Sequence, residues 1–240
     1  MVLPIVRGRM FLFVCGCGHS GTTVLASRLG NHSRALLIGR ETNVFNPLYN
    51  PANGAFATRS ILCEWDYFAE AAGKDFVVEK TPKHIHSLRR IWRVAPNAKI
   101  IIMKRNPLDN IASLYSRFGN FEASVQRWIV DNREVVKFKT DSRVRIVSYE
   151  ALTEDPQSQL EQLLSFIGLP PAPEIMNPSS TSYDLVPQEG NMAIRAAQVR
   201  APIRPNTGAW KSILTTDQVK EVLRRTRNIA EQLDYIQQGL

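Results

Sequence analysis

Residues 10–23 read MFLFVC followed by GCGHSGTT, a short apolar run that breaks into a glycine-rich turn. An apolar, partly β-branched run of this length reads as a buried strand of a parallel sheet. The turn after it, Gly16 to Thr23, satisfies G-x-G-x-x-G and also the glycine frame G-x-x-x-x-G of a phosphate-binding loop. A glycine turn between a first strand and a first helix makes an anion site. Its backbone N–H groups converge, and the helix N-terminus adds a favourable dipole.

Three readings compete at this loop, beside a plain tight turn. A dinucleotide enzyme wants an acidic residue at the end of the second strand, but Glu41 follows Gly39-Arg40 in a polar stretch. A nucleoside triphosphatase or kinase wants Lys where Thr22 stands, and an Asp ending a strand to hold magnesium. The strands DFVVEK and AKIIIMK instead run into Glu79-Lys80 and Lys104-Arg105. A loop that neutralises its anion with side-chain cations fits these residues better than one that uses a metal.

Outward from the loop, short apolar strands at 10–15, 35–39, 75–80, 98–104 and 144–149 alternate with helical patterns. One such pattern runs through Ile111, Leu114, Tyr115 and Phe118, another through Val125, Trp128, Ile129, Val135 and Val136. Asp155-Pro156 opens a helix that Gly168 and Pro170 close. Thr215-x-x-Gln218 reads as a capping box for a last helix, with Leu214 and Val219 as its staple. The fold expected is α/β, three layers (α/β/α) around a central, mostly parallel sheet of about five strands, P-loop-like, in one domain over 1–240. Only 170–212, proline-rich and weakly periodic, reads as a long functional loop.

The composition sets limits. Thirty basic against 22 acidic residues give a net charge of +8, which calls for an anionic partner. The basic residues lack the interleaved aromatics of an RNA-binding sheet, so a small polyanion is expected and nucleic acid is not. Cys15, Cys17 and Cys63 read as small reduced side chains without a metal cluster. No stretch is long and apolar enough to span a bilayer. The N-terminus reads as a first strand and not as a signal peptide, so a cytoplasmic protein is expected. A homodimer is compatible with the sequence.

The segment KRNPLDNIASLY (104–115) supplies a second anion contact. Arg105 stands at a strand's carboxyl end, Pro107 starts a helix, and Ser113 lies two turns along it, so the two can meet one phosphate. Here the chain resembles the sulfotransferases that use 3′-phosphoadenosine 5′-phosphosulfate (PAPS). In that family G-x-x-[RK]-S-G-T-T cradles the 5′-phosphosulfate and R-[ND]-P-x-D-x-x-x-S binds the 3′-phosphate. EKTP (79–82), PNAK (96–99), SYEALTEDP (148–156) and TGAWKSILT (207–215) continue the match in the family's order. Glu41-Thr42 in GRETNVF makes it closer to the bacterial and tyrosylprotein-like branch.

The resemblance implies a metal-independent transfer of a sulfuryl group from PAPS to a hydroxyl of a small molecule or carbohydrate, with adenosine 3′,5′-bisphosphate (PAP) as product. It implies cofactor contacts from Gly18, His19, Ser20, Gly21, Thr22 and Thr23, from Arg105 and Ser113, and from Tyr149, Arg204, Trp210 and Lys211. Lys80 is the expected cation on the sulfuryl group. Glu41 is the expected base, with His84 or His86 of KTPKHIH as alternatives. His19 departs from the family's Lys or Arg. An imidazole ordinarily titrates near pH 6.5, about where a bound phosphosulfate can hold its proton in place. The acceptor pocket is expected from 42–70 and 170–200, with Asn43, Phe45, Tyr49, Phe56, Trp65 and Phe68 as candidate lining. A nucleotide kinase and a non-catalytic nucleotide- or nucleic-acid-binding module are the alternatives.

Overall fold

A computed structural model describes residues 8–46, 55–178 and 199–235. Five strands form one sheet: β1 (Met10–Gly16), β2 (Ala35–Ile38), β3 (Phe76–Lys80), β4 (Lys99–Lys104) and β5 (Val144–Ser148). Their order is β2-β3-β1-β4-β5, and every neighbouring pair is parallel. The expected "mostly parallel" sheet is therefore parallel throughout its described strands. β1 holds the centre, and its residues Phe11 to Cys15 are all 2% exposed or less. Burying each large apolar side chain there contributes about 1.5–3 kcal/mol.

Helices cover both faces. On one side lie α2 (Ala55–Ala71), α3 (Leu88–Val94), α4 (Pro107–Phe118), α5 (Phe121–Lys137) and α8 (Thr216–Gln232), which share a core with Phe11, Phe13 and Ile100. On the other, α1 (Thr22–Gly30) and α7 (Pro156–Phe166) pack against Leu12, Val14 and Ile101. The two clusters take alternate residues of β1, as the twofold period of a strand requires.

Local chemistry sets the boundaries. The Asn106 side chain accepts from Asp109 N at 2.9 Å, and Pro107 holds the first turn of α4. Thr215 and Gln218 form the full capping box of α8. Leu214 and Val219 are both buried in the same core. Gly168 adopts φ 76° just after α7, as a helix stop does.

Three expectations need correction. The strand expected over 144–149 ends at Ser148, because the Ser148 hydroxyl accepts from Ala151 N at 3.1 Å and opens α6 (Tyr149–Glu154). The acceptor segment 42–70 contains the long helix α2. Within it Leu62, Trp65 and Ala69 repeat at helical spacing and face the core. Phe45 and Trp65 are thus core and not pocket lining: Phe45 is fully buried edge-on to Phe13 and His84. Tyr49 lies outside the described residues.

Candidate active site

Because all five strands run the same way, their carboxyl ends lie along one edge of the sheet. β1 leads through α1 to β2 on one side, while β3 leads across to β4 on the other. Chains departing in opposite directions open a crevice at that edge, the usual ligand position in a parallel sheet. The register puts Val14 beside Lys80, Gly16 beside Met103 and Lys104 beside Ser148. The residues that follow those strands therefore converge.

The loop 17–21 depends on its glycines. Gly16 has φ 139°, and a Cβ there would run into the carbonyl oxygen of Met103. Gly21 has φ 96°, and a Cβ there would meet the Tyr149 ring. His19 also sits in the left-handed region, at φ 66°. Its Nδ1 lies 2.9 Å from the Ser113 hydroxyl. Asn110, fully buried, donates from Nδ2 to the Gly18 carbonyl at 2.8 Å and pins the loop to α4.

Arg105 closes the loop from the β4 side. It donates to the carbonyl oxygens of His19, at 3.1 Å, and Asn206, and lies 4.2 Å over the Tyr149 ring. Its buried Nε has no hydrogen-bond partner among the described residues. Burial pushes the Tyr149 hydroxyl above its ordinary value, against the lowering effect of Arg105. Asp109 docks the 207–211 segment by accepting from Gly208 N at 2.9 Å and Trp210 N at 3.3 Å.

At the end of β3 the chemistry is buried. Lys80 Nζ lies 2.7 Å from Glu41 Oε1, the lysine side chain wholly buried and the Glu41 side chain 24% exposed. The neighbouring Glu79 accepts from the hydroxyls of Thr81 at 2.7 Å and Thr42 at 2.8 Å, and its Oε2 lies 3.0 Å from His84 Nδ1. Burial alone would raise the Glu79 carboxyl. The adjacent His84 and the hydrogen bonds from His84, Thr81 and Thr42 outweigh it and hold the carboxyl below its usual range.

These elements enclose a cavity of about 690 Å³ lined by Gly18, His19, Gly21, Thr22, Thr23, Glu41, Arg105, Ser113, Tyr149 and Arg204, among others. The structure thus brings together ten of the residues picked out in the sequence. Others stand elsewhere. The Ser20 hydroxyl is buried and donates to the Cys17 carbonyl at 2.6 Å. Lys80 stands behind Glu41. Trp210 packs against the core next to α4, with Lys211 exposed beside it. His84 is enclosed by Phe13, Phe45 and Glu79, and the exposed His86 binds Asp131 at 2.7 Å; neither lines the cavity.

Arg117, Phe118 and Arg127 also line the cavity, and the sequence reading passed over their side chains as site residues. Arg117 follows Ser113 by four residues and so shares its helix face, a readable signal. Arg127 reaches the loop only through the packing of α5. Cys15 and Cys17 are buried beneath the loop, and burial, with Glu79 and Asp131 adding for Cys15, pushes their thiols far above the ordinary value. They are unreactive packing. Among the described residues no His/Cys/Asp/Glu group could hold a metal ion, and no helix is long and apolar enough to cross a membrane.

Comparison with known proteins agrees with this geometry. A model described as "Sulfotransferase family" matches residues 54–174. The fold is similar to the sulfotransferase domain from the Synechococcus PCC 7002 olefin synthase, with a TM-score of 0.69, 19% identity and 95% of each chain covered. It is also similar to mouse sulfotransferase SULT7A1 complexed with PAP: TM-score 0.57, 16% identity, 94% of this chain and 85% of that one. An uncharacterized protein of Aquifex aeolicus (strain VF5) is 27% identical over 195 residues, 66% of this chain; the chain spans about a quarter (25%) of that relative's length. A parallel sheet with a glycine loop, an arginine and a Lys–Glu pair at one edge, matched by that model over half its length, places the chain in the sulfotransferase family.

Proposed function

We propose that the protein transfers a sulfuryl group from PAPS to an acceptor hydroxyl. The observation that carries this reading is that the 18–23 loop and Arg105 line one cavity with Glu41. The residues fit the nucleotide. The loop glycines let the turn pack directly against Met103, Arg127 and Tyr149, and the buried Arg105 Nε lacks a hydrogen-bond partner among the described residues. The amides at the start of α1, with the Thr22 and Thr23 hydroxyls, hold the 5′-phosphate side, and Arg105 with Ser113 holds the 3′-phosphate. Tyr149 and Arg204 border the adenosine. The PAP complex of the similar mouse enzyme supports PAP as a ligand of this fold.

Bound there, PAPS supplies an activated sulfuryl group and PAP departs as the leaving group. Glu41 takes the proton of the acceptor hydroxyl. Lys80, 2.7 Å behind it, orients the carboxylate and adds positive charge next to the cavity. Thr42 fixes the Glu41 loop to the end of β3 through Glu79 and Thr81. This assignment favours Glu41 over His84 and His86, because only Glu41 of the three borders the cavity. His19, held by Ser113, sits where charge develops on the 5′-phosphate.

Thermal shift with PAP, ATP and NAD⁺ tests the reading. PAP is expected to raise the melting temperature well beyond the other two. Equal stabilisation by ATP, or none by PAP, would overturn it.

A further inference from the structure

Arginines line the cavity from two different sets of elements. Its lining includes four arginines, Arg105, Arg117, Arg127 and Arg204, and one acid, Glu41. That acid is already paired with Lys80. Arg105 belongs with Tyr149, on the wall formed by α6 and residues 201–206. Arg117 and Arg127 belong to a different wall, on α4 and α5.

This second wall has its own organisation. Phe118 is 57% exposed. Its ring lies 5.7 Å from the His19 ring on one side and 5.9 Å from the Arg127 guanidinium on the other. Arg127 stands against Gly18, where any Cβ would run into its guanidinium, so the side chain reaches the rim of the loop. Its intrahelical acid is only a partial partner. Asp131 Oδ2 is 3.6 Å away, while Oδ1 is taken by His86 at 2.7 Å, and the buried Arg127 Nε makes no hydrogen bond among the described residues. Arg117 stands one turn beyond Ser113 on the same face of α4. An exposed ring in contact with one guanidinium, with a second arginine lining the same cavity, suits an apolar body that ends in an oxyanion.

We infer that the acceptor of this enzyme carries, besides the hydroxyl that is sulfated, an anionic group, a carboxylate or a phosphate, held by Arg127 and Arg117 beside Phe118. The inference rests on the sulfotransferase reading, which assigns the 18–23 loop, Arg105 and Ser113 to the nucleotide and leaves Arg117 and Arg127 to the acceptor. It narrows the acceptor to a charged class and makes the α4–α5 wall the specificity determinant.

Calorimetric titration of matched pairs onto PAP-saturated protein tests it: 4-hydroxyphenylacetate against 4-methylphenol, and glucose 6-phosphate against glucose. At least one anionic member is expected to bind about tenfold or more tightly than its neutral partner, a preference that falls with salt. The two pairs separate carboxylate from phosphate. Arg127→Gln, and independently the exposed Arg117→Gln, should erase most of that preference while PAP affinity stays within about threefold. Equal binding of both members, no binding of any, or a loss of PAP affinity in these variants overturns the inference. Failure of wild-type protein to bind PAP is a separate outcome, and it removes the sulfotransferase reading first.

Discussion

The ends of β3 and β4 look alike in sequence, Glu79-Lys80 and Lys104-Arg105, yet they are built on opposite principles. At β3 the charged groups are paired with one another, and all but Glu41 are sealed inside. Lys80 meets Glu41, and Glu79 meets His84, Thr42 and Thr81. At β4 the cation is held by neutral partners: two backbone carbonyls and the Tyr149 ring. The β3 end is a network of groups paired with one another. The β4 end keeps its positive charge unneutralised, as an anion site must.

The largest effect is expected where a buried network loses its carboxylate. Glu79→Gln should cost about 3–5 kcal/mol at pH 7, the usual loss when one partner of a buried pair is removed. The carboxyl is held below its ordinary value, so its contribution is complete above about pH 4.3 and is lost as pH falls through the lower folded value. The melting-temperature gap between wild type and variant should therefore close in acid. An unchanged melting temperature at neutral pH would break the contrast between the two strand ends.

Next comes Lys80→Met, which keeps the stem and removes the charge beside Glu41. Turnover should fall about 10²- to 10³-fold, the range for losing one group that stabilises developing charge, with PAP affinity nearly intact. Single-turnover assay with labelled PAPS reads it, and a variant retaining half the wild-type rate would put Lys80 among structural residues. The smallest effect is at β4. Arg105→Ala should weaken PAP binding about 10- to 100-fold, and Arg105→Lys should recover only part of that, because a point charge does not replace the fork. Full recovery by lysine would mean that charge alone, and not its bracing by His19 and Asn206, sets the site.

Most of the fold was legible because its signals are local. Strand runs such as AKIIIMK, the Asn106–Pro107 start and the Thr215–Gln218 box are written in consecutive residues, and each of the five strands lies within a residue or two of its expected bounds. The site was legible where a motif carried it: the glycine loop, Arg105, Ser113 and Glu41. Aromatic residues misled. Phe45 and Trp65 suit a pocket or a core equally well by type, and only the packing of α2 decides. His84 of KTPKHIH is internal because a short 3-10 turn, Pro82–Ser87, aims it at Glu79. Arg127 could not be read at all, since it meets Gly18 across 109 positions of sequence, a distance that no periodicity records.

The strand order has a consequence for how the molecule is made. β1 precedes the other four strands of its sheet in the chain, but its two neighbours are β3 and β4, so MFLFVC waits for residues 76–104 before both edges are covered. Parallel pairings of this kind are non-local and slow to form. Until they do, an apolar strand with two open edges is a point of self-association. The glycine loop is therefore translated before the strands and helices that form its walls. Ligand binding at this cavity reports completion of the whole sheet.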